Sequence, residues 1–171
     1  MATRLFALDH NFPQPIVDVL SGYMVEAELL PVDVIDPRMP DLDDWQILLA
    51  LHHHSRPFDG LITTDNSMLK LPRELAVLMQ TKLTIVVADE AGHDPLKATG
   101  LVLAHLPGIC KRTRPDTAQA WILRAAQRAH EDPWTLLGRV AGHQGRATNA
   151  LYAEASLSPD ELAVDPLAGA P

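Results

Sequence analysis

Three short apolar runs constrain this chain most: Leu5-Phe6-Ala7-Leu8, Leu61-Ile62-Thr63-Thr64 and Thr84-Ile85-Val86-Val87-Ala88. Each is apolar at consecutive positions, too short for an ordinary helix, and runs out at an aspartate: Asp9, Asp65 or Asp89. Continuous rather than alternating apolar character predicts strands buried on both faces, which occurs where helices cover a parallel sheet on both sides. The intervening segments carry helical spacing. Ile16, Val17, Leu20 and Met24 recur at such spacing, Trp45 to His54 reads as a helix ended by Pro57, and 66–80 reads as helical with a restart at Pro72. With a further strand over 29–35 (LLPVDVI, near an edge because of Pro31), the predicted order is strand and helix in alternation. The expected fold is a three-layer α/β/α arrangement with a central, mostly parallel sheet of four to five strands, plus C-terminal helices.

Downstream, the residues after Asp94 predict a helix with Gly108 near its end. DTAQAWILRAAQRAH (116–130) predicts an amphipathic helix with Asp116 near its cap, and 134–155 predicts one or two more. Ser158-Pro159-Asp160-Glu161 has the form of a helix cap. The expected organisation is an α/β domain over 1–110, a helical extension over 111–155 and a flexible tail over 156–171.

Charge narrows the function classes. With 14 Lys+Arg against 22 Asp+Glu, the net charge of −8 excludes a chain that holds nucleic acid by bulk charge alone. The distribution is uneven, since half of the basic residues fall between 105 and 150. Arg124, Arg128 and Arg139 are read as solvated, and Lys111-Arg112-Thr113-Arg114 is the densest basic cluster and the candidate for holding an RNA backbone. A single cysteine, Cys110, excludes a disulfide framework and a Cys-based zinc site, and fits a reducing, cytoplasmic setting. The first ten residues lack a signal-peptide core and no run reaches about 18 apolar residues, so neither export nor a membrane span is expected.

In a parallel sheet, functional groups collect at the carboxyl ends of strands, near the point where strand order reverses. Asp9, Asp65 and Asp89 are predicted there, and Asp41, Asp43 and Asp44 open the helix that packs near the same edge. One such aspartate alone is best read as a turn or helix cap. Several together repel one another unless their pKa values rise or a cation sits among them, and oxygen ligands favour Mg²⁺ or Mn²⁺.

These residues also resemble a family. Leu8-Asp9-His10-Asn11-Phe12-Pro13 resembles the opening motif of PIN-like nucleases. Asp44-Trp45-Gln46-Ile47-Leu48 resembles their second acidic motif, and Leu61-Ile62-Thr63-Thr64-Asp65 the third, a strand ending in Thr-any-Asp. The resemblance covers roughly residues 4–90. It implies a divalent-metal-dependent endoribonuclease, in many members the toxin of a toxin–antitoxin pair. It also implies that Asp9, Asp44 and Asp65 hold the metal and act in catalysis, supported by Asn11 and Thr64. Asp44 is preferred to Asp43 because only Asp44 has the Ile-Leu pair at the right distance. One departure stands out: where family members commonly carry a further Asp and then Phe, this chain has Ser67 and Met68. Ser67 hydrogen-bonds but brings no charge, so the alternative is a catalytically silent module binding RNA or a protein partner.

Other features carry less. His52-His53-His54 on one helix point about 100° apart and do not converge on an ion. Cys110 reads as a buried thiol, and Trp45 as packing against the sheet. Asp9-His10 and Ala88-Asp89 do not match a receiver-type domain, and Asn11 breaks the Asp-any-Asp of a haloacid-dehalogenase-type phosphatase. Expected partners are RNA, an antitoxin protein whose Arg enters the acidic pocket, and a second copy held by Trp121, Ile122 and Trp134.

Overall fold

A computed structural model describes residues 3–12, 23–91, 94–125 and 128–169. Its centre is a six-stranded sheet: β1 (Arg4–Leu8), β2 (Ala27–Pro31), β3 (Gly60–Thr63), β4 (Thr84–Ala88), β5 (Gln119–Leu123) and β6 (Arg128–Glu131), in spatial order β2-β1-β3-β4-β5-β6. The first five strands run parallel and β6 is antiparallel to β5. Among the described residues the helices are α1 (Val32–Ile35), α2 (Asp44–His53), α3 (Pro72–Thr81), α4 (Pro95–Cys110), α5 (Pro133–His143), α6 (Thr148–Ala155) and α7 (Pro159–Leu162). The helix expected around Ile16, Val17 and Leu20 lies outside the described residues, as does Pro13.

The continuous apolar strands are explained by the two cores. Ala7, Leu61, Ile85, Val87 and Ala120 point to one face, where α2, α3, α5 and α6 pack. Phe6, Leu8, Ile62, Val86 and Trp121 point to the other, under α4. With a side-chain period of two, a strand covered on both sides is apolar at every position. Each such Val, Leu, Ile or Phe removed from water contributes about 1.5–3 kcal/mol.

Four expectations are corrected. The sheet has six strands, not four to five, because 116–130 is not a helix: it supplies β5 and β6. Short apolar runs such as Ala120-Trp121-Ile122-Leu123 fit either period, and the open edge of β4 decides the matter by requiring a hydrogen-bonding partner. The boundary expected at 110 therefore falls short of β5 and cuts the sheet. The helical segment begins at 133, and Leu136, Leu137, Ala141 and Leu151 are buried in the same core as β1 and β3. Second, the strand expected over 29–35 is β2 at Ala27–Pro31, followed by α1. Third, the end of the chain is docked: Ser158 caps α7, Leu157 is buried, and Arg38 donates to the carbonyls of Leu167 at 3.0 Å and Gly169 at 2.7 Å. Fourth, Trp121 is not a surface anchor for a second copy, being buried against His130 within the sheet.

The split of 66–80 is as expected, with a 3-10 turn at Ser67–Lys70 and α3 restarting at Pro72. No helix among the described residues is long and apolar enough to cross a membrane.

Candidate metal centre

The strand order reverses at β1, which has β2 on one side and β3 on the other. Asp9 follows β1 and Asp65 lies just beyond β3, so both occupy the carboxyl edge at this switch point, where open parallel sheets generally bind their ligands. The Asp9 amide donates to the Ile62 carbonyl at 2.9 Å, which extends the β1–β3 ladder by one residue and fixes Asp9 against β3. Asp44 is the first residue of α2 and Asp43 is its N-cap. Asp43 is thus spent on helix geometry and exposed, whereas Asp44 is half-buried and faces the other carboxylates.

Asp9 is almost wholly buried, at 1% exposure. Its Oδ2 accepts from Thr63 Oγ1 at 2.7 Å and from Asn11 Nδ2 at 3.4 Å. Its Oδ1 lies 2.9 Å from His10 Nδ1, an ion pair only when that imidazole is protonated, and accepts no hydrogen bond. A buried carboxylate oxygen without a donor is costly unless a cation answers it. Burial raises the Asp44 pKa, and the negative charges of Asp9 and Asp65 raise it further. The three aspartates that lie far apart in sequence therefore share one electrostatic environment.

Glu74, in the first turn of α3, adds to it and was not anticipated. It is buried, its pKa is raised first by burial and also by the charges of Asp44 and Asp43, and its only sequence signal is that of any acid favouring a helix N-terminus.

Two supporting roles differ from expectation. Thr63, not Thr64, holds Asp9, and its hydroxyl also accepts from the Asp65 amide at 3.0 Å. Thr64 Oγ1 donates to the Asn11 carbonyl at 3.4 Å and so steadies the β1 loop. Ser67 donates to both oxygens of Asp65, from its amide and from its hydroxyl, each at 2.7 Å. Among the described residues no three of His, Cys, Asp or Glu converge closely enough to form a ready-made ion shell. The side chains present are hard oxygen donors, the type that Mg²⁺ and Mn²⁺ take, and both Asp65 oxygens accept from Ser67.

The basic cluster is elsewhere. Lys111, Arg112 and Arg114 precede β5 and border an open groove with Trp121 and His130. Arg4 at the start of β1 donates to the Thr113 carbonyl at 2.8 Å, which places the cluster at the amino edge of the sheet. A five-residue strand of about 16 Å separates it from the carboxylates. Asp89 is also committed: Asn66 Nδ2 and Arg124 Nε donate to it at 3.0 and 3.1 Å. His53 meets the Leu162 carbonyl at 2.8 Å, Trp45 lies under the Arg73 guanidinium, and burial pushes the Cys110 thiol up to about 11, leaving it inert.

No family model matches the chain, and searches of curated proteins and of solved structures found no significant match.

Proposed function

We propose that the chain is a divalent-metal-dependent phosphodiesterase acting on RNA, of PIN-like type, with Asp9, Asp44 and Asp65 as ligands. The observation that carries this reading is the buried Oδ1 of Asp9, which accepts no hydrogen bond and has the His10 ring 2.9 Å away, near an Asp44 whose pKa is raised by burial and by the charges of Asp9 and Asp65. A bound Mg²⁺ or Mn²⁺ supplies polarisation of a phosphoryl oxygen and an activated water. Thr63 and Asn11 orient Asp9, while α2 presents Asp44. The same negative pocket suits an arginine from a neutralising antitoxin, which is the partner this reading implies. Cytoplasmic action and self-association belong to the same proposal.

A second reading rests on Ser67. It satisfies both Asp65 oxygens without a cation, which favours a catalytically silent module that binds RNA or a protein. Calorimetric titration with Mn²⁺, followed by incubation with labelled RNAs, separates the two. The enzymatic reading expects Mn²⁺ binding and cleavage, both lost in Asp9→Asn, with a rate loss of about 100-fold or more. Absence of Asp9-dependent Mn²⁺ binding would leave the silent module.

A further inference from the structure

A cleft of about 450 Å³ opens at the same edge of the sheet as the carboxylates, in the usual size range of small-molecule sites. It adjoins the acid site directly: Asn66, on its wall, is the residue after Asp65, and Asp89 and Arg124 lie at the ends of β4 and β5. Leu69, Leu136 and Val140 form an apolar wall. Lys70, Arg124, Arg139 and His143 surround it.

In a chain of net charge −8, three permanent cations and a histidine line this cleft together with one carboxylate, Asp89; Arg124 pairs with Asp89 and Arg139 with Glu131, so Lys70 is the cation left without a carboxylate partner among the described residues. Asp89 is already answered by Arg124 and Asn66. Lys70 Nζ donates at 3.0 Å to the neutral amide oxygen of Asn66, a bond that leaves its charge uncompensated. Arg139 pairs with Glu131 at an exposed position, where ion pairs are weak and an incoming anion competes readily. An apolar wall ringed by donors of positive charge fits a ligand with a flat, weakly polar body and a phosphate.

We propose that this cleft holds one nucleoside phosphate unit, its base on Leu69, Leu136 and Val140 and its phosphate on Lys70, Arg124 and Arg139. The choice of a nucleoside phosphate rests on the nuclease reading above: the cleft seats the nucleotide beside the phosphodiester that the carboxylates address. The aliphatic wall offers little to read base edges, so discrimination among bases is expected to be weak.

Calorimetry in EDTA with AMP, adenosine, inorganic phosphate and a short oligoadenylate tests this apart from any metal chemistry. AMP or the oligonucleotide binds more tightly than adenosine or phosphate alone. Lys70→Gln and Arg139→Gln each weaken that binding about tenfold, and Val140→Trp, which fills the cleft, abolishes it. The two glutamine variants lie at the surface and keep the comparison valid should the tryptophan variant not fold. Binding of the oligonucleotide but not of AMP, with the same dependence, assigns the cleft to a strand; binding of AMP assigns it to the free nucleotide as well. Affinities unchanged by the two glutamine variants, or no binding of either probe, overturn the proposal. Asp44→Asn separates it from the nuclease reading, since that variant abolishes cleavage while AMP still binds.

Discussion

Asp44 is held between opposing demands. Burial first, and then the charges of Asp9 and Asp65, raise its pKa above the ordinary 3.8, so ionising it is harder in the folded protein than in the unfolded chain. A carboxyl raised on folding binds more protons folded than unfolded over that interval. Its favourable contribution is therefore complete below 3.8 and is lost as pH rises through the elevated folded value. At neutral pH the ionised Asp44 destabilises the fold. Asp44→Asn is accordingly expected to raise the melting temperature at pH 7 by about 2–4 °C, the scale of about 1 kcal/mol for a chain of this size. The gain shrinks as pH falls through the elevated folded value and is gone below 3.8, the ordinary value. Saturating Mn²⁺ should reverse the order, stabilising the parent chain and not the variant. A melting temperature lowered by the substitution at pH 7 without metal would remove the electrostatic account of the site. Asp44 was singled out by the resemblance, because an Ile-Leu pair follows it at the distance of the second acidic motif. Glu74 was not, because a first-turn glutamate is ordinary in any helix and its approach to Asp44 depends on how α3 packs against α2.

At the scale of elements, β3 and β4 show how closely the sheet is built. A Cβ on Gly60 would meet the carbonyl oxygen of Thr84 at 1.8 Å, and that atom is backbone that cannot rotate away. Gly60→Ala should therefore destabilise by about 3 kcal/mol or more, at the upper end of overpacking, read as a lowered urea midpoint. A midpoint within experimental error of the parent's would mean that the β3–β4 register differs from Gly60 opposite Thr84. The strands with continuous apolar runs, β1, β3 and β4, were readable because burial on both faces leaves a mark in composition itself. β5 was not, because Gln119–Leu123 sits among alanines and arginines that favour a helix and its strand character comes from the edge of β4. Ser158 and Glu161, in contrast, announced α7 locally, since a capping box needs no distant partner.

Over the whole molecule, the end of the chain is tied to the start of the acid region. Arg38 is shared between the Asp36 carboxylate and the carbonyls of Leu167 and Gly169, and the hydrogen bonds from Arg38 hold Asp36 down to about 2. Arg38→Ala is expected to release the last residues, so that limited proteolysis trims the chain beyond about residue 163 several-fold faster while the sheet stays intact. Equal trimming of the two proteins would show that Leu162 and Leu167 alone, packed on the core, hold the tail. The docking was illegible from a segment rich in Pro, Ala and Gly, because the donors that fix it lie some 130 residues away.

The sequence by itself determined the layered α/β class, the strands of the sheet centre and the three aspartates at their ends and at the start of α2. Those features are local: a strand buried on both faces is apolar throughout, and an aspartate at its end needs no remote partner to be seen. Tertiary structure alone decided that 119–131 extends the sheet, that Thr63 steadies Asp9 and that Glu74 joins the acid cluster. It also decided that Lys111, Arg112 and Arg114 stand at the opposite edge from the carboxylates, while Lys70, Arg124 and Arg139 stand beside them. Each of these depends on which segments become neighbours across the sheet, and hydrogen-bond pairing and charge proximity between distant segments leave no periodic trace along the chain.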